Sequence, residues 1–247
     1  MRKILFIALL SLTTACNQNP KKKAPAADAA KAEAAPVEKQ WENLFDGVSF
    51  KGWHQFNKSE MSSAWIIQDG AMVFDPAKKE KGSNHDIVTD REFTNFELSL
   101  EWNIAEVGNS GIFWGVKEGE NFNKPYETGP EIQVLDNERH PDSFKNPNYH
   151  QAGALYDIVQ PSQNVCKPAG EWNHTVVSID YNANLGSVKL NGVEIVTFPL
   201  SGPEWDTLVA NSKFADWENF AKYKTGKIGL QDHGDGVSYR NIKIREL

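Results

Sequence analysis

The sequence predicts an all-β protein: one sandwich of antiparallel sheets with at most one or two short helices. Three observations lead there. Short apolar or alternating segments recur at close spacing through residues 65–244, and no helical stretch between them is long enough for the crossovers of a parallel sheet. Hairpin dipeptides punctuate them at Asp69-Gly70 and Asn191-Gly192, where a two-residue turn needs left-handed backbone that Asp, Asn and Gly adopt readily. Eight Trp, thirteen Phe and six Tyr stand beside three Met, with eighteen Gly and twelve Pro; this balance suits turn-rich sheets better than a helical bundle.

The chain begins with Arg2 and Lys3, an apolar run over residues 4–12 and small residues up to Ala15-Cys16. This reads as a lipoprotein signal peptide over residues 1–15, cleaved before Cys16, although Thr13 stands where the usual cleavage motif prefers Leu. The run is too short to span a bilayer as a helix, whereas several acyl chains on Cys16 would hold the protein firmly at a membrane surface. Residues 16–40 therefore comprise the lipidated Cys and a tether rich in Ala, Lys, Pro and Glu with no aromatic residue, too poor in apolar surface to offset the entropy of ordering. With Cys16 lipidated, Cys166 has no disulfide partner. The full chain has a formal charge of -7, and setting aside the seven basic and three acidic residues before Trp41 leaves the rest near -11. Such a surface repels phosphate backbones, so nucleic acid is excluded as an expected partner.

Residues 41–247 read as a single domain. Leu44, Phe45, Phe50 and Trp53 lie in short segments broken by Gly47 and Gly52. Residues 65–74 form two strands around Asp69-Gly70, and residues 87–89 a further short one. Phe96, Leu98, Leu100, Trp102 and Ile104 share one parity while Glu97, Ser99, Glu101 and Asn103 share the other, which predicts a long half-buried strand. Residues 112–116 are expected to pair with it through a turn at residues 106–108. A long polar loop over residues 137–148 carries Arg139, His140, Pro141 and Asp142; loops of that length tend to be functional or mobile. Strands follow over residues 172–181 and 186–196, a short helix is expected at residues 216–223, and residues 226–234 and 237–244 read as strand, turn, strand.

Between these elements, Glu131-Ile132-Gln133-Val134-Leu135-Asp136 alternates in a way that sends a carboxylate and a carboxamide to one strand face. That face is either solvated or lined by hydrogen-bonding groups. Other polar residues invite the same question. Glu101 is either a second reactive carboxylate or an outward strand residue, and His233, between Asp232 and Gly234, is reactive or a loop tip. Gln133 and Gln231 are carboxamides that contact a ligand or simply face the surface, and His150 and Tyr156 border the long loop. Asn109-Ser110-Gly111 reads as a ligand contact or as a turn or bulge, and Arg240 as a substrate contact or a strand-end ion pair. No HExxH, paired CxxC, phosphate-binding Gly-rich loop or serine nucleophile elbow is present.

Taken in order, Phe96-Glu97-Leu98 with Glu101-Trp102, Asn109-Ser110-Gly111-Ile112-Phe113, Glu131 to Asp136, Gly153-Ala154-Leu155-Tyr156, Glu171-Trp172-Asn173 and Gly229-Leu230-Gln231-Asp232-His233-Gly234 with Tyr239-Arg240-Asn241-Ile242 resemble the DUF1080 family of 3-keto-glycoside lyases and hydrolases. The resemblance spans essentially all of residues 41–247. It implies a concanavalin A-like jelly roll, an exported and often lipidated bacterial enzyme of the periplasm or outer membrane, and an oxidised-sugar (3-keto-glycoside) substrate. A ketone at C3 acidifies the C2 proton and places the glycosidic oxygen at C1 in position for elimination, after which water adds to the enone. Such a site needs a base, a group to hold the enolate oxygen and an acid for the departing alcohol. Glu131 is the first candidate for the base and Glu101 the second; His233 is the candidate acid or enolate stabiliser. A divalent metal ion held by Glu131 and His233 is an alternative way to hold a ketone beside a hydroxyl. Gln133, Asp136, Asn109, His150, Tyr156, Gln231 and Arg240 are the candidate substrate contacts. A non-catalytic carbohydrate-binding jelly roll is the competing expectation, since similar sandwiches bind sugars without chemistry.

Overall fold

Two antiparallel sheets face each other across an apolar core in the computed structural model, which describes residues 40–146 and 148–247. The expected signal peptide, the lipidated Cys16 and the tether up to residue 39 lie outside the described residues. The larger sheet has eight strands. Its path runs through β11 (Val193–Phe198), β10 (Leu185–Leu190), β9 (Asn173–Asp180), β6 (Phe96–Ile104), β13 (Val237–Glu246), β4 (Ala71–Phe74) and β3 (Trp65–Gln68), while β1 (Glu42–Asn43) pairs with the far half of β13. The smaller sheet has five strands in the order β2 (Trp53–Gln55), β5 (Ile87–Thr89), β12 (Lys227–Leu230), β7 (Asn109–Val116) and β8 (Glu131–Leu135). Among the described residues no helix is long and apolar enough to cross a membrane.

The alternation expected of residues 96–104 is the burial pattern of β6, whose Phe96, Leu98, Leu100, Trp102 and Ile104 are all buried. They meet Ile112 and Trp114 of β7, Ile132 and Val134 of β8 and Leu230 of β12 in one continuous core. Buried polar atoms in this interior find partners: Trp102 Nε1 donates to Thr175 Oγ1 at 2.9 Å, and Ser110 Oγ lies 2.8 Å from the Tyr239 hydroxyl. Both expected hairpin turns form, with φ of 53° and 75° at Asp69 and Gly70 and 51° and 84° at Asn191 and Gly192.

Two sequence expectations fail for local reasons. Residues 106–108 do not close a hairpin, because both edges of β6 are occupied by β9 and β13. Instead Val107 turns the chain at φ 60°, its N–H donates to Asp136 Oδ2 at 2.8 Å, and β7 enters the opposite sheet. The helix is α1 (Pro203–Ala210), upstream of the expected one, with Pro in the first turn, Glu204 and Asp206 beside it and Trp205 buried. These are favourable helix-start residues. Residues 216–223 form turns rather than a helix; Phe214 stacks on Phe220 at 3.9 Å and Ala221, at φ 57°, donates its N–H to Thr128 O.

Candidate active site

Because side chains alternate along a strand, β8 sends Ile132 and Val134 into the core and Glu131 and Gln133 to the face turned away from the larger sheet. This face is not solvated. Residues 153–156 run along the free edge of β8, where Gln133 N donates to Ala154 O, Gly153 N to Gln133 O and Tyr156 N to Glu131 O. The turn carrying Asp142 and the segment over residues 211–223 stand beside it. They leave a cavity of about 280 Å³ with Glu131, Gln133, Asn109 and Gln231 on the sheet side, Tyr156 and His233 at its borders, and Lys213 beside an aromatic wall of Tyr126, Phe214 and Trp217.

The space for the Glu131 side chain exists because residue 111 is glycine. A Cβ on Gly111, on the neighbouring strand β7, would lie 2.7 Å from Glu131 Cδ and 2.8 Å from its Cγ, and closer still to Oε1. Glu131 is only 8% exposed. Burial pushes its carboxyl up to about 8, with the negative charges of Asp86 and Asp142 adding to the effect and Lys213 opposing it. Asp86, buried behind the site and accepting from Asp232 N at 2.7 Å, is itself raised to about 7 by burial. Near the carboxylate, both side-chain polar atoms of Gln133, Asn109 Oδ1 and Gln231 Oε1 are buried with no hydrogen-bond partner among the described residues. Buried polar groups without partners cost about 1–3 kcal/mol each, so their convergence on one cavity marks a place where a polar ligand completes them.

The rim is a hydrogen-bonded frame. Tyr156 stacks on His150 at 4.4 Å and donates its hydroxyl to Asp142 Oδ2 at 3.0 Å; burial, then Asp142, pushes the Tyr156 phenol far up, so it keeps its proton. His150 Nε2 lies 3.0 Å from Asp157 Oδ1 and Nδ1 3.3 Å from Asp142 Oδ2. Burial works against the ionised Asp157, but bonds from His150 and the Lys213 N–H outweigh it and hold the carboxyl low. Withdrawal from water pushes His233 below the ordinary imidazole range, against Asp235 at 4.0 Å and with help from His140. At neutral pH His233 is therefore an uncharged imidazole, a hydrogen-bond donor rather than a ready proton source.

Of the residues singled out in the sequence, Glu131, Gln133, Asn109, Gln231, Tyr156 and His233 meet at this cavity, and His150 braces Tyr156 from behind. Three lie elsewhere. Glu101 faces outward from the larger sheet, where it accepts from Arg240 Nε at 2.7 Å, and Arg240 stacks over Trp172 at 3.9 Å; opposite charges on adjacent strands chose each other, so neither reaches the cavity. Asp136 accepts from the N–H groups of Val107 and Glu138, which makes it the pin of the corner between β6 and β7. Among the described residues no three His, Cys, Asp or Glu side chains converge as a metal site, so Glu131 and His233 have no third such ligand. Cys166 is a free thiol that burial pushes up to about 12, hence no nucleophile. Lys213, Tyr126, Phe214 and Trp217 were not foreseen: Trp217 sits in the segment read as a helix, Lys213 and Phe214 lie just before it, and Tyr126 is in the turn before β8.

Residues 40–245 match the family profile described as 3-keto-alpha-glucoside-1,2-lyase-like domain. A 3-keto-disaccharide hydrolase of Bacteroides thetaiotaomicron is 33% identical over 226 residues, spanning 83% of this chain and 77% of that protein. A crystal structure from Parabacteroides distasonis, described as a candidate glycosyl hydrolase, is 31% identical with a TM-score of 0.77 over 84% of this chain and 94% of that one. A second from the same organism and under the same description is 25% identical, with a TM-score of 0.62 over 84% and 100%. A galectin-like protein from Bacillus subtilis, 10% identical with a TM-score of 0.51 over 84% and 94%, shares the fold. The expected lectin-like jelly roll is thus the observed architecture.

Proposed function

The chain belongs to the family described as the 3-keto-alpha-glucoside-1,2-lyase-like domain, and on that premise we propose that it cleaves the glycosidic bond of sugars carrying a ketone at C3. The single observation that carries the reading is the buried Glu131 carboxyl standing among the unpartnered amides of Gln133, Asn109 and Gln231. The amides supply the donors and acceptors that sugar hydroxyls require, and the aromatic wall of Tyr126, Phe214 and Trp217 offers apolar surface to the carbon face of a pyranose ring.

In this reading the ionised Glu131 takes the C2 proton. The C–H electron pair forms the C2–C3 double bond as the carbonyl pair moves to oxygen, giving an enolate. Return of that pair forms a C1–C2 double bond and breaks the bond from C1 to the glycosidic oxygen. The departing oxygen takes a proton from the newly protonated Glu131, which at about 8 is a stronger base than an ordinary carboxylate and still a usable acid. Water then adds across C1–C2, so that hydrolysis is the net result. The His233 N–H borders the cavity as a neutral donor, a state suited to binding oxygen rather than delivering a proton, while the Tyr156 hydroxyl, whose proton goes to Asp142, offers its oxygen as an acceptor.

A divalent cation fits the donor set only with substrate oxygens completing its shell, because Glu131 and His233 are joined by no third carboxylate, imidazole or thiolate among the described residues. When bound it would supply Lewis-acid polarisation of the ketone. The signal-like run and Ala15-Cys16 ahead of Trp41 support a reaction at the cell envelope, on a protein anchored through acylated Cys16; labelled fatty acid incorporated by the native chain and lost in Cys16→Ser tests that reading.

A non-catalytic sugar-binding module is the second reading, favoured by the aromatic wall. Incubation with a 3-keto-disaccharide separates the two. Sugar release by the native protein, lost in Glu131→Gln, supports the enzyme; tight binding with no release under any common divalent metal supports the module.

A further inference from the structure

The cavity contains a cation that no ion pair holds among the described residues. Lys213 follows α1 on the loop that walls the site. Its backbone N–H is fixed to Asp157 Oδ2 at 2.7 Å, and its ammonium lies over the ring of Tyr156 at 4.0 Å and of Phe214 at 5.0 Å. The nearby acids are otherwise occupied: Asp157 accepts from His150, Asn146 and the Lys213 N–H, and Asp142 accepts from the Tyr156 hydroxyl. Among the described residues no carboxylate comes within ion-pair distance of Lys213 Nζ. Aromatic faces position a cation without neutralising it, so the charge stays available to an oxygen of the ligand.

Resting on the proposed cleavage, we propose that Lys213 is the catalytic cation of the site: its ammonium holds the C3 oxygen as the enolate forms. The carbonyl oxygen gains a full negative charge when Glu131 takes the C2 proton, and a fixed positive group next to that oxygen acts where the charge develops. Withdrawal from water works against the Lys213 ammonium, while Glu131, Asp157 and Asp142 favour it; in this role the nitrogen keeps its proton and forms no bond to carbon. The charged groups facing Glu131 are Lys213 from this loop, Asp142 and, from the segment entering β5, Asp86, and the phenols of Tyr126, Tyr156 and Tyr239 stand within its field; those facing Lys213 are Glu131, Asp157 and Asp142. Lys213 is the one of these whose charge favours the ionised base.

The test compares the native protein with Lys213→Met and Lys213→Arg on a 3-keto-disaccharide across pH. The assignment predicts that Met lowers kcat about 100- to 1,000-fold, the usual consequence of losing one group that binds a developing oxyanion, while KM changes by only a few-fold. Arg is expected to restore at least tenfold of the loss. The acid limb of the profile should move to higher pH in the Met variant, since Glu131 loses the charge that favours its ionised form. A Met variant with native kcat, a loss confined to KM or an unmoved limb would overturn the role. So would a borohydride-trapped sugar adduct on Lys213, which would mean an imine instead of an ion contact. The native protein's own turnover separates the levels: an active native enzyme with an unimpaired Met variant sinks Lys213 alone, whereas no native cleavage sinks the reaction and this role with it.

Discussion

Gly111→Ala is the most revealing perturbation of the site, because it adds one methyl group to a strand and moves a carboxylate on its neighbour. The new Cβ would stand 2.7 Å from Glu131 Cδ and 2.8 Å from Cγ, where ordinary contact begins near 3.4 Å. The carboxyl must therefore retreat by roughly 1 Å or the strands must part. A misplacement of about 1 Å at a reacting group costs on the order of 100-fold in rate, and overpacking of this kind costs about 1–3 kcal/mol in stability. Gly186→Ala is the matched control: its Cβ would come within 2.5 Å of Phe198 Cζ and 2.8 Å of Cδ2, a comparable clash with no carboxylate involved. Sugar release from a 3-keto-disaccharide and thermal unfolding are measured for both. The expectation is that both lose a few degrees of Tm, while Gly111→Ala alone loses about 100-fold in kcat. Equal activity in the two variants would refute the claim that Gly111 positions Glu131.

The remaining predictions concern charge. The Glu131 carboxyl sits at about 8 in the fold against 4.5 when unperturbed, so the native state retains a proton that the unfolded chain has released between those values. Its stabilising contribution is full below about pH 4.5 and is lost as pH rises through about 8, a loss of a few kcal/mol. Glu131→Gln carries no such charge, so chemical denaturation should find it more stable than the native protein at pH 9 and little different at pH 4.5, with turnover reduced about 100- to 10,000-fold. Native turnover should climb about tenfold per pH unit toward a plateau near 8 if the ionised carboxylate is the active form. Glu101→Gln breaks only a partly exposed pair with Arg240 on the opposite sheet; it should change stability by under about 1 kcal/mol and leave kcat at the native value.

The legible part of the fold was local. Period-two alternation located β6 and β8, and Asp-Gly and Asn-Gly located two turns, because those signals depend on a few neighbouring residues. Sheet assignment was not local: residues 106–108 look like a hairpin, and only the competition of β9 and β13 for the edges of β6 sends β7 across the sandwich. For the site, Glu131 and Gln133 were readable because a carboxylate and a carboxamide sharing one strand face demand an explanation. Glu101 carried the same signal and the wrong answer, since its partner Arg240 lies 139 residues away in sequence. Lys213 carried no signal at all. A lysine in a loop reads as surface, and what makes this one distinctive is the Tyr156 and Phe214 rings beneath its ammonium.

The central claim is that the bond at C1 breaks because Glu131 first removes the proton at C2. A 3-keto-disaccharide deuterated at C2 tests it most directly. With native protein the account predicts sugar release slowed several-fold by the deuterium under single-turnover conditions, with the label lost from the product. Release at an unchanged rate, with the deuterium kept at C2, would contradict it and place the cleavage at C1 alone.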